Sequence, residues 1–304
     1  AHPSDTEHLI LRCDWQGGFV AYLNGREVAR RQIPGPSGSP VRFDTRAGLR
    51  LAGAAEDILL TGPHAVLQPG TNILAIQAHP ISGGSYELVL VPELLSNFTR
   101  GPYLQRILTD EATVLWRTPV PRTGRVSLSL QADLADATVV SMDDLNTERE
   151  ARFRQLTPGT RYYYQIVAGS ARSPVYSFRT LPASGDLDFL VLGDSGAGSA
   201  PQFQVARQMD RRRTDLLVHV GDIIYPHFSF GQTDTRLLSV YRDLLRTTPS
   251  FFAWGNHDLY AGAAPLLAAL RSPTNNTPAE QHTAEKTWPE SYFSFDAGDA
   301  HFAV

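Results

Sequence analysis

Three short motifs, each at the end of an apolar run, constrain this chain more than any other feature. They are Gly193-Asp194-Ser195-Gly196, Gly221-Asp222-Ile223-Ile224-Tyr225 and Gly255-Asn256-His257-Asp258. The runs before them, residues 187–192 (LDFLVL), 216–220 (LLVHV) and 251–254 (FFAW), suit buried parallel strands. Between them Phe203, Ala206 and Met209, and then Leu237, Leu238, Tyr241, Leu244 and Leu245, recur at helical spacing. Strand, helix, strand, helix, strand is an α/β unit with right-handed crossovers. Such sheets place their chemistry outside the carboxyl ends of the strands, so the three motifs converge on a metal or phosphate site.

The residue types fit a dinuclear metal centre, which needs hard oxygen donors, one of them able to bridge two ions. Asp194 and Asp222 supply carboxylates, each after a glycine that lets the strand end turn. Tyr225, three residues beyond Asp222, folds its phenolate back toward the same ion, and Asn256 offers a neutral carbonyl oxygen. His257 is expected beside the metals as a proton donor, with Asp258 orienting its ring. His227 and Phe228 are candidates to line the substrate site.

The chain before these motifs is all-β. Strands are expected over residues 8–13, 18–23, 26–31, 72–78 and 85–91, with Asn24-Gly25 as a type I′ hairpin turn. A second set of short strands, 112–118, 124–130, 137–142, 161–167 and 175–180, has the spacing of a sandwich, with Trp116 as its core tryptophan. Two final strands, 292–296 and 301–304, follow a polar loop. At 304 residues there is room for two or three domains.

The net charge of −4 gives no footprint for nucleic acid or anionic lipid. Arg211-Arg212-Arg213 closes a predicted helix, where positive charge suits the dipole. Cys13 is the single cysteine, so no intrachain disulfide forms. No run of about eighteen apolar residues spans a membrane, and residues 1–7 lack the features of a signal peptide.

Three resemblances follow from these segments. GGFVAYLNGREVAR with LQPGTNILAIQAHP resembles the galactose-binding-like jelly rolls, some of which bind sugars; Trp15, Tyr22 and Tyr86 are the residues that would stack on a sugar ring. Leu156-Thr157-Pro158-Gly159-Thr160 with Tyr162 and Tyr164 resembles the corner of a fibronectin type III domain, where one tyrosine hydroxyl bonds back to the chain. GDSG, GDIIY and GNHD resemble the first three signature blocks of the calcineurin-like metallophosphoesterases. The tyrosine of the second block, with Gly101-Pro102-Tyr103-Leu104-Gln105 upstream, looks like the purple acid phosphatase branch.

The resemblance implies a jelly roll over residues 1–96, a fibronectin III-like β-sandwich over 97–182 and the first half of a metallophosphoesterase α/β sandwich over 183–304. It implies that Asp194 and Tyr225 bind a first metal, Asp222 bridges both and Asn256 binds the second. His257 would protonate the leaving alcohol or stabilise the transition state. A phenolate ligand suits Fe(III), with its charge-transfer colour, and the partner ion would be Zn, Mn or Fe(II). The implied activity is hydrolysis of phosphate monoesters. A phosphodiesterase acting on nucleotides, phospholipids or cell-wall polymers is the alternative, and a non-catalytic extracellular carbohydrate-binding scaffold the third reading. Tandem β modules ahead of such a domain imply an extracellular or cell-surface setting.

One departure stands against this pattern: the family's Val-x-x-His and Gly-His-x-His blocks, which complete the site with imidazoles, do not occur, and His282 and His301 lack the spacing. The chain is therefore expected to be a fragment, cut at both ends. A polypeptide stopping at Val304 is expected to show negligible phosphatase activity and weak metal retention.

Overall fold

The computed structural model describes residues 6–53, 55–60, 66–82, 88–274 and 291–304. Tyr86 and His282 lie outside these. The chain forms two compact units, Ala1–Thr99 with Thr118–Val120, and Arg100–Arg117 with Pro121–Val304. No helix among the described residues is long and apolar enough to cross a membrane.

The first unit contains two three-stranded antiparallel sheets. Strands β1 (Leu9–Trp15), β2 (Gly18–Leu23), β3 (Arg26–Arg31), β4 (Glu56–Leu60), β5 (Leu74–His79) and β6 (Leu90–Ser96) pair in the orders β4-β1-β6 and β3-β2-β5. The two-residue side-chain period of a strand puts Leu9, Leu11, Cys13 and Trp15 of β1 on one face, where they share a cluster with Phe19, Ala21 and Leu23 of β2. On the other face Arg12 is buried, its guanidinium held by both oxygens of Asp57 and by the Thr99 carbonyl. Asn24 and Gly25 both have positive φ, 52° and 81°, as the type I′ turn requires. Strand β4 has no alternation in sequence, and its pairing with β1 brings Asp57 to Arg12. Trp15 is corrected as a sugar platform: it is 2% exposed, Phe19 meets it edge-on and the Arg50 guanidinium lies 3.5 Å from its ring centroid. Burial also pushes the Cys13 thiol up to about 12, so it is an inert packing residue.

In the second unit, β7 (Arg100–Gln105), β8 (Glu111–Ser129), β9 (Thr138–Arg154), β10 (Arg161–Ala168), β11 (Ala171–Arg172) and β12 (Tyr176–Arg179) build the sandwich. Two expected strands are here the single strand β8, whose register slips between Arg117, Arg122 and Gly124. At that bend Trp116, 1% exposed, packs over Gly124, where a Cβ would come within 2.8 Å of its ring. Strand β9 runs twelve residues past its expected end at Met142, to Arg154. The Tyr162 hydroxyl accepts the Thr157 N–H at 2.9 Å, which is the expected tyrosine corner.

The remainder is α/β. Strands β13 (Phe189–Leu192), β14 (Leu216–His219) and β15 (Ser250–Phe252) form a parallel sheet in that order. Helix α1 (Ala200–Met209) follows β13; α2 (Phe230–Thr233), a π-turn (Asp234–Leu238) and α3 (Arg242–Leu245) follow β14; α4 (Asn256–Leu259) and α5 (Ala264–Ala269) follow β15. A closing hairpin, β16 (Ser294–Ala297) and β17 (Ala300–Ala303), is antiparallel. Leu237, Leu238, Tyr241, Leu244 and Leu245 are all buried, although their segment is broken into several turns. In α1 the expected Phe203 is partly exposed, and Gln202 is buried instead, donating to the Arg236 carbonyl and accepting from the Gly198 N–H. Arg211-Arg212-Arg213 lies just past the end of α1. One face of the sheet carries Leu190, Leu192, Leu217 and Phe252 against the helices, in a cluster that includes Tyr103 and Leu115 of the sandwich. The other carries Leu216, Val218 and Phe251 against Phe293, Phe295 and Phe302. At the β13 edge Phe189 and Val191 remain 48% and 59% exposed, so that strand is not buried on both faces as its sequence suggests.

Candidate metal centre

The parallel register sets Leu192 beside His219, and His219 beside Phe252, so the three motif loops leave the sheet along one edge. Asp194 and Asp222 both turn there through the left-handed region, at φ 50° and 52°, which aspartate tolerates better than most residues. The loops knit by backbone bonds: Asp194 N–H donates to Gly221 C=O, and Ser195 N–H to Asp222 C=O, each at 3.2 Å. The motif glycines have a packing reason. Gly221 has φ 107° and lies against the backbone of Gly255, and a Cβ on Gly255 would come within 2.1 Å of Asp222 Oδ1.

This packing gathers three oxygens. The Tyr225 hydroxyl contacts Asp194 Oδ1 and lies 2.9 Å from Asp222 Oδ2. A phenol has one proton to donate, so two carboxylates and a phenol oxygen share it. Those bonds, with some desolvation, hold the Tyr225 pKa above its ordinary value. Hard, anionic oxygens crowded this way fit a multivalent cation, which would replace the shared proton. Among the described residues no group of three His, Cys, Asp or Glu side chains gathers around a point; the set here is two carboxylates and a phenol.

The third motif adds contacts around Asp222. The His257 N–H donates to Asp222 Oδ1 at 3.1 Å. Its ring Nδ1 lies 2.7 Å from the Pro226 carbonyl, which can only accept, so Nδ1 carries the proton and Nε2 keeps its lone pair in the neutral ring. The ring packs against both Tyr225 and Tyr260, with centroids 4.6 and 4.8 Å away. Asn256 is exposed, and its Nδ2 donates to the Tyr260 hydroxyl at 2.8 Å.

Asp258 requires a correction, because it does not orient the His257 ring. It is fully buried; Oδ1 accepts the N–H groups of Ile223 and Ile224, and Oδ2 accepts that of Gly255. It therefore ties the second motif loop to the third and sits too deep to touch substrate. Burial raises its pKa, against the pull of those N–H groups. Phe228 is likewise core, with no exposure, whereas His227 is half-buried. His301 pairs with Asp296 across the closing hairpin at 2.6 Å.

Sequence reasoning missed His219, Ser195 and Tyr260. His219 is fully buried on β14; its Nε2 lies 2.9 Å from Ser195 Oγ, and its Nδ1 accepts the Gly221 N–H at 3.3 Å. Nε2 is then the protonated nitrogen, donating to the serine beside Asp194. Burial pulls this imidazole down to about 4, with Asp194 and Asp222 opposing. The available signal was a histidine inside the apolar run LLVHV.

Residues 103–180 match the family model of the purple acid phosphatase N-terminal domain, and residues 187–298 match that of the calcineurin-like phosphoesterases. No curated protein matches the chain. Among solved structures, the purple acid phosphatase PPD1 from yellow lupin (Lupinus luteus) seeds is similar at 15% identity and a TM-score of 0.56, over 96% of this chain and 63% of that one. PhoD is similar at 16% identity and a TM-score of 0.42, over 54% of this chain and 40% of that one. The chain thus spans less than two thirds of the length of either. At this identity the lupin protein shows a shared fold.

Proposed function

We propose that this chain, with its purple acid phosphatase N-terminal domain and calcineurin-like phosphoesterase domain, carries at the strand-end cluster the oxygen-donor part of a site for phosphate-ester hydrolysis, without the two histidine blocks that complete it in the family. The observation that carries the reading is the convergence of the Asp194, Asp222 and Tyr225 oxygens from two separate strand ends. Phosphoesterases of this family typically use two metal ions. In this reading Asp194, Asp222 and Tyr225 would hold one cation, and Asp222 and Asn256 would hold the second. Fe(III) suits the phenolate, and Zn, Mn or Fe(II) suits the partner position. When bound, the ions supply charge neutralisation for the phosphoryl oxygens and an acidified water.

The chain's own residues prepare that chemistry. The loop-to-loop bonds and the Asp258 carboxylate fix the donors before any ligand arrives. The Pro226 carbonyl fixes the His257 tautomer, so that Nε2 is the atom that picks up a proton and returns it to the leaving oxygen. A monoester substrate of the acid phosphatase type is the first reading, with diesters as the alternative.

The test is metal-dependent hydrolysis of p-nitrophenyl phosphate and bis(p-nitrophenyl) phosphate by the purified protein, Asp222→Asn and His257→Ala. The expected result is at most weak turnover that requires added metal and is lost in both Asp222→Asn and His257→Ala. Metal-dependent turnover that survives Asp222→Asn would place the chemistry elsewhere.

A further inference from the structure

We infer that Tyr260 is a positioning residue for Asn256 and His257: its hydroxyl anchors the Asn256 amide beside Asp222, and its ring packs against the imidazole. The inference rests on the metal-binding reading of Asn256 given above. Tyr260 follows Asn256 by four residues at the end of the short helix α4, the separation that puts two side chains on one helical face. Asn256 Nδ2 donates to the Tyr260 hydroxyl at 2.8 Å. An amide nitrogen can only donate and an amide oxygen only accept, so a cation is bound through Oδ1 alone. With Nδ2 held by the phenol, Oδ1 is the free end.

Asn256 is held between two residues that touch Asp222. The residue before it, Gly255, lies against the Asp222 carboxylate, and the residue after it, His257, donates its N–H to the same carboxylate. Tyr260 also packs against the His257 ring, with centroids 4.8 Å apart, as does Tyr225 at 4.6 Å. Tyr260 is itself 66% exposed, so it contributes little to the core, and the bond to Asn256 and the ring contact are what its replacement removes. Tyr260→Phe keeps the ring and deletes only the hydroxyl.

The experiment is a titration with Mn²⁺ and with Zn²⁺, reading stoichiometry and Kd, on the purified protein, Tyr260→Phe, Asn256→Ala and the double variant, with Tm measured alongside. The expected result is about tenfold weaker binding of one ion in Tyr260→Phe, the scale of losing an outer partner of a ligand, at unchanged Tm. In the Asn256→Ala background the same change should have no further effect. Equal Kd for the parent and Tyr260→Phe would overturn the inference while leaving the metal site standing, as would an equal loss in the Asn256→Ala background. A parent that binds neither ion would contradict the phosphoesterase reading, and the role of Tyr260 with it.

Discussion

Asp222 links the second and third motif loops: one oxygen meets the Tyr225 hydroxyl, the other accepts the His257 N–H, and its backbone sits in the left-handed region. Asp258 supports it from below, as one carboxylate accepting three N–H groups from two loops. Asp258→Asn keeps the size but replaces one acceptor oxygen with a donor, leaving either Gly255 or the Ile223 and Ile224 pair facing an N–H. We expect a cost of about 1–3 kcal/mol in chemical denaturation, together with weaker metal binding. A neutral substitution would show that these bonds do not hold the loops. At this scale Asp194, Asp222 and Tyr225 were legible in the sequence, because a strand end followed by a turn fixes where a side chain emerges. The role of Asp258 was not, because it depends on where distant backbone N–H groups point. His219 and Tyr260 were missed for the same reason: each acts through another residue.

At the scale of elements, the π-turn after α2 is held by a buried ion pair that no periodicity reveals. Asp234, with a side chain 9% exposed, receives Arg100 of β7 at 2.7 Å and Arg117 of β8 at 2.6 Å. Burial is the largest influence on Arg100 and would lower its pKa, but Asp234, Tyr103 and Glu148 together raise it and keep the guanidinium charged. Asp234→Ala takes the buried carboxylate from two arginines, leaving them the more exposed Glu148 at 3.5 and 3.7 Å, and is expected to destabilise the unit by about 3–5 kcal/mol in a denaturant titration. A change below ~1 kcal/mol would mean that solvent already screens the pair. The apolar stripe from Leu237 to Leu245 correctly marked the buried side of this segment, but a stripe does not report residues per turn, and the helix is broken there. Strand β8 was misread for a local reason. Pro119, Pro121 and Gly124 look like a loop, whereas the strand bends through them so that Trp116 can cover Gly124.

At the scale of the molecule, the sandwich and the α/β sheet share one apolar cluster through Tyr103 and Leu115. Two tyrosine hydroxyls seal the joint, Tyr103 to the Ala269 carbonyl at 2.9 Å and Tyr164 to the Arg246 carbonyl at 2.8 Å. Residues 100–304 are therefore expected to unfold together: fluorescence of Trp116 in the sandwich and of Trp254 beside the site, each read in a variant lacking the other tryptophans, should give coincident midpoints. Separate midpoints would show two independent modules. The segmental division into β modules followed by an α/β layer was legible from the change of period after residue 182, but this union was not, since it is written in pairs of residues far apart in the chain. The central claim is that the Tyr225 phenol and the two aspartates form a cation site, and visible absorption after loading with Fe(III) tests it most directly. A phenolate charge-transfer band is expected in the parent, and Tyr225→Phe should lack it while still folding. An iron-loaded parent without the band, or a band that survives Tyr225→Phe, would contradict it.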